Sequence, residues 1–209
     1  MAKIIPMFPL KMVAFPGEKV NLHIFEPRYL QLISDVLEDE HIFGIPVFID
    51  RMGDYGTMVQ LSEIIKRYDD GRMDISAVGQ SVFKIKKFIN PLAGKLYAGA
   101  QIEFITNIQD GESGLNEKMK YELEYLLSNA SLSGEVTIGE NISTFQIAHI
   151  IGLTIEQAYH LLKLNHERDR QKYVLHHIEK IMPEVDRIKE IKRRISGNGH
   201  FKKSDPLEY

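Results

Sequence analysis

The chain has 209 residues, 44% hydrophobic and 26% charged, with a net charge of −3, the balance of a globular protein long enough to bury a core. It contains no cysteine, which excludes structural disulfides, a thiol nucleophile, and zinc or iron–sulfur sites with thiolate ligands. The charge is uneven: residues 187–203 hold seven Lys/Arg against Glu190 alone, leaving 19 of the 26 bases and 28 of the 29 acids elsewhere, a net of −9.

In chain order, the opening MAKIIPMFPLKMVAFPGEK is apolar but broken by Pro6, Pro9 and Pro16, so it reads as an edge or bent strand rather than a secretory signal. No apolar run is long enough to span a bilayer, and the expectation is a cytoplasmic protein with no membrane partner. A helix is predicted over about 27–39. The run IFGIPVFI (42–49) reads as a strand, with Phe43 and Phe48 expected in the core, and it ends near a loop at Asp50–Tyr55. Further strands are expected at 56–68, 72–79, 81–88 and 95–105, separated by DDG (69–71) and NPLAG (90–94). Met73, Ile75 and Ala77 share one face by period two. Short strands joined by tight turns point to an antiparallel sheet curled into a barrel or sandwich.

After about residue 108 the period changes from two to that of a helix. QDGESGLN (109–116) reads as a linker, and 117–130 as a helix with a stripe of Met119, Leu123, Leu126 and Leu127. Ser143 with Gln146 and Thr154 with Gln157 are capping-box pairs opening helices to about Ile151 and Leu164, with Gly152 a stop between them. A long helix follows from near His166. Its seam is Val174, Ile178, Ile181, Val185 and Ile188, and Pro183 predicts a kink or restart there. The expected division is 1–108, β-rich, and 109–209, helical with a frayed basic tail.

The stretch HIFEPRY (23–29) carries an imidazole, two opposite charges and a phenol in seven positions. It has a structural account. With Glu26 as N-cap, Pro27 takes the first helical position, and Phe25 and Leu30 fall where a hydrophobic staple forms. Arg28 lies within reach of Glu26. On this reading Phe25, Glu26, Pro27, Arg28, Tyr29 and Leu30 are a structural motif first, and a binding surface second.

The same residues carry a family resemblance. PMFPLKMVAFPGEKVNLHIFEPRYLQLISDVLED closely resembles the opening of the N-terminal domain of Lon, the ATP-dependent protease, with Phe-Pro-Gly (15–17) and Ile-Phe-Glu-Pro-Arg-Tyr (24–29) in the family's order. YDDGRMDISAVGQSVFKI resembles the strand pair that follows, with Val82 where the family usually has arginine. If that arginine pairs with an acid inside the domain, the pair is absent or replaced here. The resemblance is strong over 5–105 and looser over 117–195. It implies an α+β fold: a PUA-like β pseudo-barrel with one inserted helix, followed by a C-terminal α-helical bundle subdomain.

Chemistry beyond that is sparse. The chain is too short for the ATPase and serine–lysine protease modules of a complete Lon, so the expectation is a protein that is neither protease nor ATPase and needs no cofactor. GNGHFKKS (197–204) fails as a phosphate loop because Lys202 occupies the sixth position, where glycine is required. HERDR (166–170) is not HExxH, and His176 with Glu179 or His177 with Lys180 makes at most two ligands, so no metal site is expected. The function expected is a non-catalytic recognition module, with Met52 and Tyr55 as candidate contacts. Its partners would be unfolded or tagged polypeptides and an ATP-dependent protease; the seam of the last helix packs either inside the monomer or against a second copy in a homo-oligomer. The alternative is RNA or DNA binding through Lys192, Arg193, Arg194, Lys202 and Lys203 on the basic C-terminal helix and tail.

Overall fold

The computed structural model describes residues 4–130 and 142–198. Six strands and a helix come first: β1 (Ile4–Met7), β2 (Lys19–Ile24), α1 (Pro27–Glu38), β3 (Ile42–Phe48), β4 (Met52–Arg67), β5 (Met73–Ile89) and β6 (Ala98–Phe104). Four helices follow: α2 (Ser113–Ala130), α3 (Thr144–Ile147), α4 (Ile155–Lys163) and α5 (Glu167–Asn198).

The strands close on themselves. The order runs β2-β5-β4-β3-β1-β6, and β6 pairs again with the second half of β5, from Phe83↔Phe104 to Ile89↔Gly99. The first half of β5 carries β2 instead, from Met73↔Ile24 to Val78↔Lys19. Closure satisfies sheet edges that would otherwise template pairing with other chains. Among the ladders of these six strands β1 and β3 run parallel and the others are antiparallel; isolated parallel bridges outside them join Leu10 to Val47 and Ile108 to His166. The long strands bend through register shifts, three in the β4–β5 ladder and one between Ile85 and Lys87. Residues 72–79 and 81–88, expected as two strands, form the single bent strand β5.

The Phe-Pro-Gly turn locks the chain against this bend. Gly17 has φ +81°, and Glu18 accepts the Phe15 N–H at 2.8 Å. The turn sits so close to β5 that a Cβ on Gly79 would lie 2.0 Å from the Phe15 carbonyl oxygen.

Three apolar clusters make up the interior. One packs α1 on the sheet, with Leu32, Ile33 and Val36 against Phe43, Ile45 and Ile75. A smaller one lies between β1, β5 and β6 around Met7 and Phe83. The largest joins Val13, Phe15, Val47 and Val82 of the barrel to Met119, Leu123, Phe145, Leu161, Val174 and Ile178 of the helices. Val82, which stands where the resembling family usually has arginine, therefore occupies an apolar contact and is 4% exposed. The predicted stripe on α2 is buried throughout, as are Met73, Ile75 and Ala77.

Several boundaries differ from the sequence reading. Met52 to Tyr55 belong to β4 and not to a loop, because Met52 already pairs with Phe48. The linker is shorter than expected, since α2 begins at Ser113. The helix capped by Ser143 stops at Ile147, short of Ile151. Pro183 does not restart α5, which continues through it. Ion and hydrogen-bond contacts to α2 bracket the proline, Lys118–Glu179 at 2.7 Å before it and Tyr125–Asp186 at 2.6 Å after it. The seam fades along α5: Val174 and Ile178 are fully buried, and Ile188 is 48% exposed.

Candidate functional site

HIFEPRY turns the chain from β2 into α1. Glu26 is the N-cap, with extended backbone and no side-chain cap bond, and Pro27 opens the helix. The Glu26 carboxylate instead accepts from Arg28, at 2.9 Å from Nε and 2.7 Å from Nη2. This holds the guanidinium 4.5 Å from the centre of the Tyr29 ring. The Tyr29 ring lies tilted against Phe8 with centroids 3.9 Å apart, and burial pushes its phenol pKa up. The expected staple does not form. Phe25 is 60% exposed and stacks on His23 at 6.0 Å, leaving Leu30 to pack on the α1 cluster.

Arg28 and Tyr29 end up lining a groove of ≈ 300 Å³, part polar and part apolar, with Phe48, Met52, Phe88 and Asn90. Phe48, expected in the core, is 41% exposed here, because the irregular β3–β4 register between Pro46 and Phe48 turns it outward. Phe43, by contrast, is fully buried.

Met52 also lines a second, open cleft of ≈ 790 Å³ with Arg51, Asp54, Tyr55, Tyr159 and Lys163. Its wall is α4, started by Thr154, whose hydroxyl accepts the Gln157 N–H at 3.3 Å while Gln157 accepts the Thr154 N–H at 2.8 Å. Tyr159 projects from α4 onto β4. Its hydroxyl accepts the Tyr55 N–H at 3.2 Å, and the two rings meet edge to face at 6.4 Å. Gly53 permits this approach, since a Cβ there would lie 2.8 Å from the Tyr159 hydroxyl. Burial raises the Tyr159 pKa. Lys163 stands 4.9 Å from the Tyr159 ring centre and Lys84 5.6 Å from that of Tyr55.

The two candidate contacts, Met52 and Tyr55, are thus brought together with Arg28 and Tyr29 along one rim. Phe88, Tyr159 and Lys163 join them without having been singled out in the sequence, and Phe48 joins them although the sequence reading placed it in the core. Lys192, Arg193 and Arg194 lie elsewhere, on the last turns of α5, where Glu190 meets both Arg193 and Arg194. Lys202 and Lys203 fall outside the described residues.

Three of the described histidines are engaged in structural contacts. His23 pairs with Asp74 at 2.6 Å, His166 with Asp110 at 2.8 Å, and buried His177 donates to the Ile151 carbonyl at 2.9 Å. Among the described residues no group of three or more metal-ligating side chains converges, and no helix is long and apolar enough to cross a membrane.

The family model described as the ATP-dependent protease La (LON) substrate-binding domain matches residues 4–180. Among solved structures, the fold is similar to a Lon N-terminal domain protein from Xanthomonas campestris, with a TM-score of 0.68 and 21% identity over 83% of this chain and 97% of that one. It is also similar to the N-terminal domain of Mycobacterium avium complex Lon protease, with a TM-score of 0.66 and 14% identity over 85% of this chain and 98% of that one. At these identities the structural likeness speaks for the fold alone.

Proposed function

The chain belongs to the ATP-dependent protease La (LON) substrate-binding domain family, and from that premise we propose that it is a non-catalytic module that recognises unfolded or tagged polypeptides and presents them to an ATP-dependent protease. The observation that carries the reading is the groove at the barrel rim. Its lining mixes polar and apolar groups, and the large apolar side chains left partly open to solvent there are Phe48, Met52 and Phe88, one of them a methionine. Methionine side chains adapt to varied apolar guests, which suits a surface that must accept many sequences. Arg28 gives the rim one polar edge for a peptide backbone.

Nucleic-acid binding has less support. It relies on the end of α5, where two of the cations already meet Glu190. It predicts binding that weakens steeply with salt.

The test is fluorescence anisotropy with a reduced, carboxymethylated model protein as probe, at moderate and high salt. Binding that persists at high salt, and that falls at least tenfold in Phe48→Ser and Met52→Ser as expected of central apolar contacts, supports the reading. Binding unchanged by both substitutions sinks it.

A further inference from the structure

We propose that the end of α5 is a docking surface for an acidic amphipathic helix of another protein. This surface is separate from the groove, and its partner is a helix and not an unfolded guest.

The apolar seam of α5 outruns the body that covers it. Val174, Ile178, Ile181, Val185 and Ile188 keep the alternating spacing of four and three by which one helix packs on another. Val174 and Ile178 are fully buried, Ile181 and Val185 are partly buried, and Ile188 and Ile191 are each 48% exposed. α2 does not cover the last two. It runs parallel to α5, meeting it in the pairs Lys118–Glu179 and Tyr125–Asp186, both 61 residues apart. At that offset Ala130, where α2 ends, is level with Ile191. At about 100° per residue, Ile188 and Ile191 also point well away from the Asp186 side of α5, which faces α2.

The same turns carry a surplus of positive charge. Arg187 to Arg194 hold five cations and Glu190 alone. Arg193 and Arg194 share that carboxylate at 3.3 and 3.1 Å, and Lys189 lies over the Tyr125 ring at 5.1 Å. The stretch of α2 alongside, Leu126 to Asn129, is uncharged. Residues three and four apart are neighbours on a helix surface, so the charged neighbours of Ile188 and Ile191 are Glu184, Arg187, Lys192 and Arg194, three cations to one acid. Lys192 also takes the next seam position after Ile188, where a carboxylate on the partner would meet it.

A helix with an apolar stripe flanked by acids answers both features at once. A nucleic acid would answer the cations and leave two isoleucines against its phosphates. A bilayer surface calls for a broad apolar face, whereas Val185, Ile188 and Ile191 form a single ridge. A second copy of α5 would bring like charges together.

The experiment measures anisotropy of labelled helical peptides on the full chain. One has leucines at heptad spacing flanked by glutamates. A second has lysines for the glutamates, and a third scrambles the order of the first. The acidic amphipathic peptide is expected to bind about fivefold more tightly than either, the size of a few exposed ion pairs. Its binding should fall about fivefold in Ile188→Ser/Ile191→Ser. In Arg187→Glu/Lys192→Glu the preference should invert toward the lysine peptide. The fold of both variants is checked by circular dichroism. Equal binding of the acidic and lysine peptides, binding of neither, or a preference that survives the charge reversal overturns the inference. Oligouridine or phosphatidylglycerol vesicles that bind more tightly than the acidic peptide also overturn it, and assign the helix end to nucleic acid or membrane. None of these results bears on the groove.

Discussion

At the junction between barrel and helices, Arg170 is 1% exposed and every nitrogen of its guanidinium has an acceptor; at the rim of the groove, Phe48 stays 41% exposed beside half-buried Met52. The Arg170 network joins three parts of the chain. Nε bonds Glu167 at 2.8 Å, Nη1 bonds the Leu164 carbonyl at 2.7 Å, and Nη2 reaches Asn107, at the exit of the barrel, at 2.5 Å. Glu167 in turn accepts the Thr144 N–H and hydroxyl, each at 3.0 Å. Phe145 packs beneath the guanidinium at 4.4 Å. A buried charge tolerates no vacancy among its partners, so this junction has one geometry. At the groove, by contrast, Phe48, Met52 and Phe88 stay partly open to solvent. α4 links the Arg170 network to the cleft beside the groove: its Tyr159 walls the cleft, and its C-cap, Leu164, accepts from Arg170.

That contrast is broken most severely at Arg170. Arg170→Met leaves the Glu167 carboxylate buried without its partner and is expected to lower stability by about 3–5 kcal/mol in urea denaturation. Arg170→Met/Glu167→Gln removes the stranded charge and recovers part of the loss. A loss below about 1 kcal/mol in the single variant would show that the network contributes little. In the opposite sense, Phe48→Ser at the rim is expected to change stability by no more than about 1 kcal/mol while weakening polypeptide binding at least tenfold. A variant that lost stability and affinity in proportion would make Phe48 a core residue after all.

A smaller effect probes the link between the regions. Thr154→Ala removes the hydroxyl that accepts the Gln157 N–H at the start of α4, leaving the backbone bond from the residue 154 N–H to the Gln157 side chain, and is expected to cost about 1 kcal/mol. Because Tyr159 is one turn further on, the cleft should loosen while polypeptide binding at the groove is unchanged. Binding that weakens there would place the effect in global stability.

Legibility in the sequence followed the range of the interactions. α1 was readable because Pro27 marks its start and Leu32, Ile33 and Val36 mark its face, all local signals. Both capping boxes were readable for the same reason. Tyr159 was not: it meets Tyr55 across 104 residues, and no local pattern records that. Phe88 was hidden by the shift between Ile85 and Lys87, which changes the face that period two assigns. Phe25 failed as a staple because the His23 ring, two residues back, offered it a stacking partner. Pro183 carries a penalty of about 3 kcal/mol inside a helix, yet α5 continues because contacts to α2 on both sides hold its direction.

The smallest effect concerns a second contact across the barrel–helix junction, and it sharpens the contrast with Arg170. His149 pairs with Glu18 at 3.2 Å and tilts against Phe15 at 5.2 Å, tying the residues after α3 to the Phe-Pro-Gly turn. The hydrogen bond to Glu18 raises the His149 pKa, against an opposing push from partial burial. A raised histidine pKa means that the folded state holds the proton more tightly than the unfolded one. The contribution is therefore fully present below the unfolded value of about 6.5 and is lost as pH rises through the folded value above it. The side chain is 48% exposed, so solvent screening holds the effect to a fraction of a kcal/mol. Denaturation midpoints for the wild type should fall slightly between about pH 6 and 8, and His149→Gln should flatten that slope. An unchanged slope in His149→Gln would assign the titration to another group.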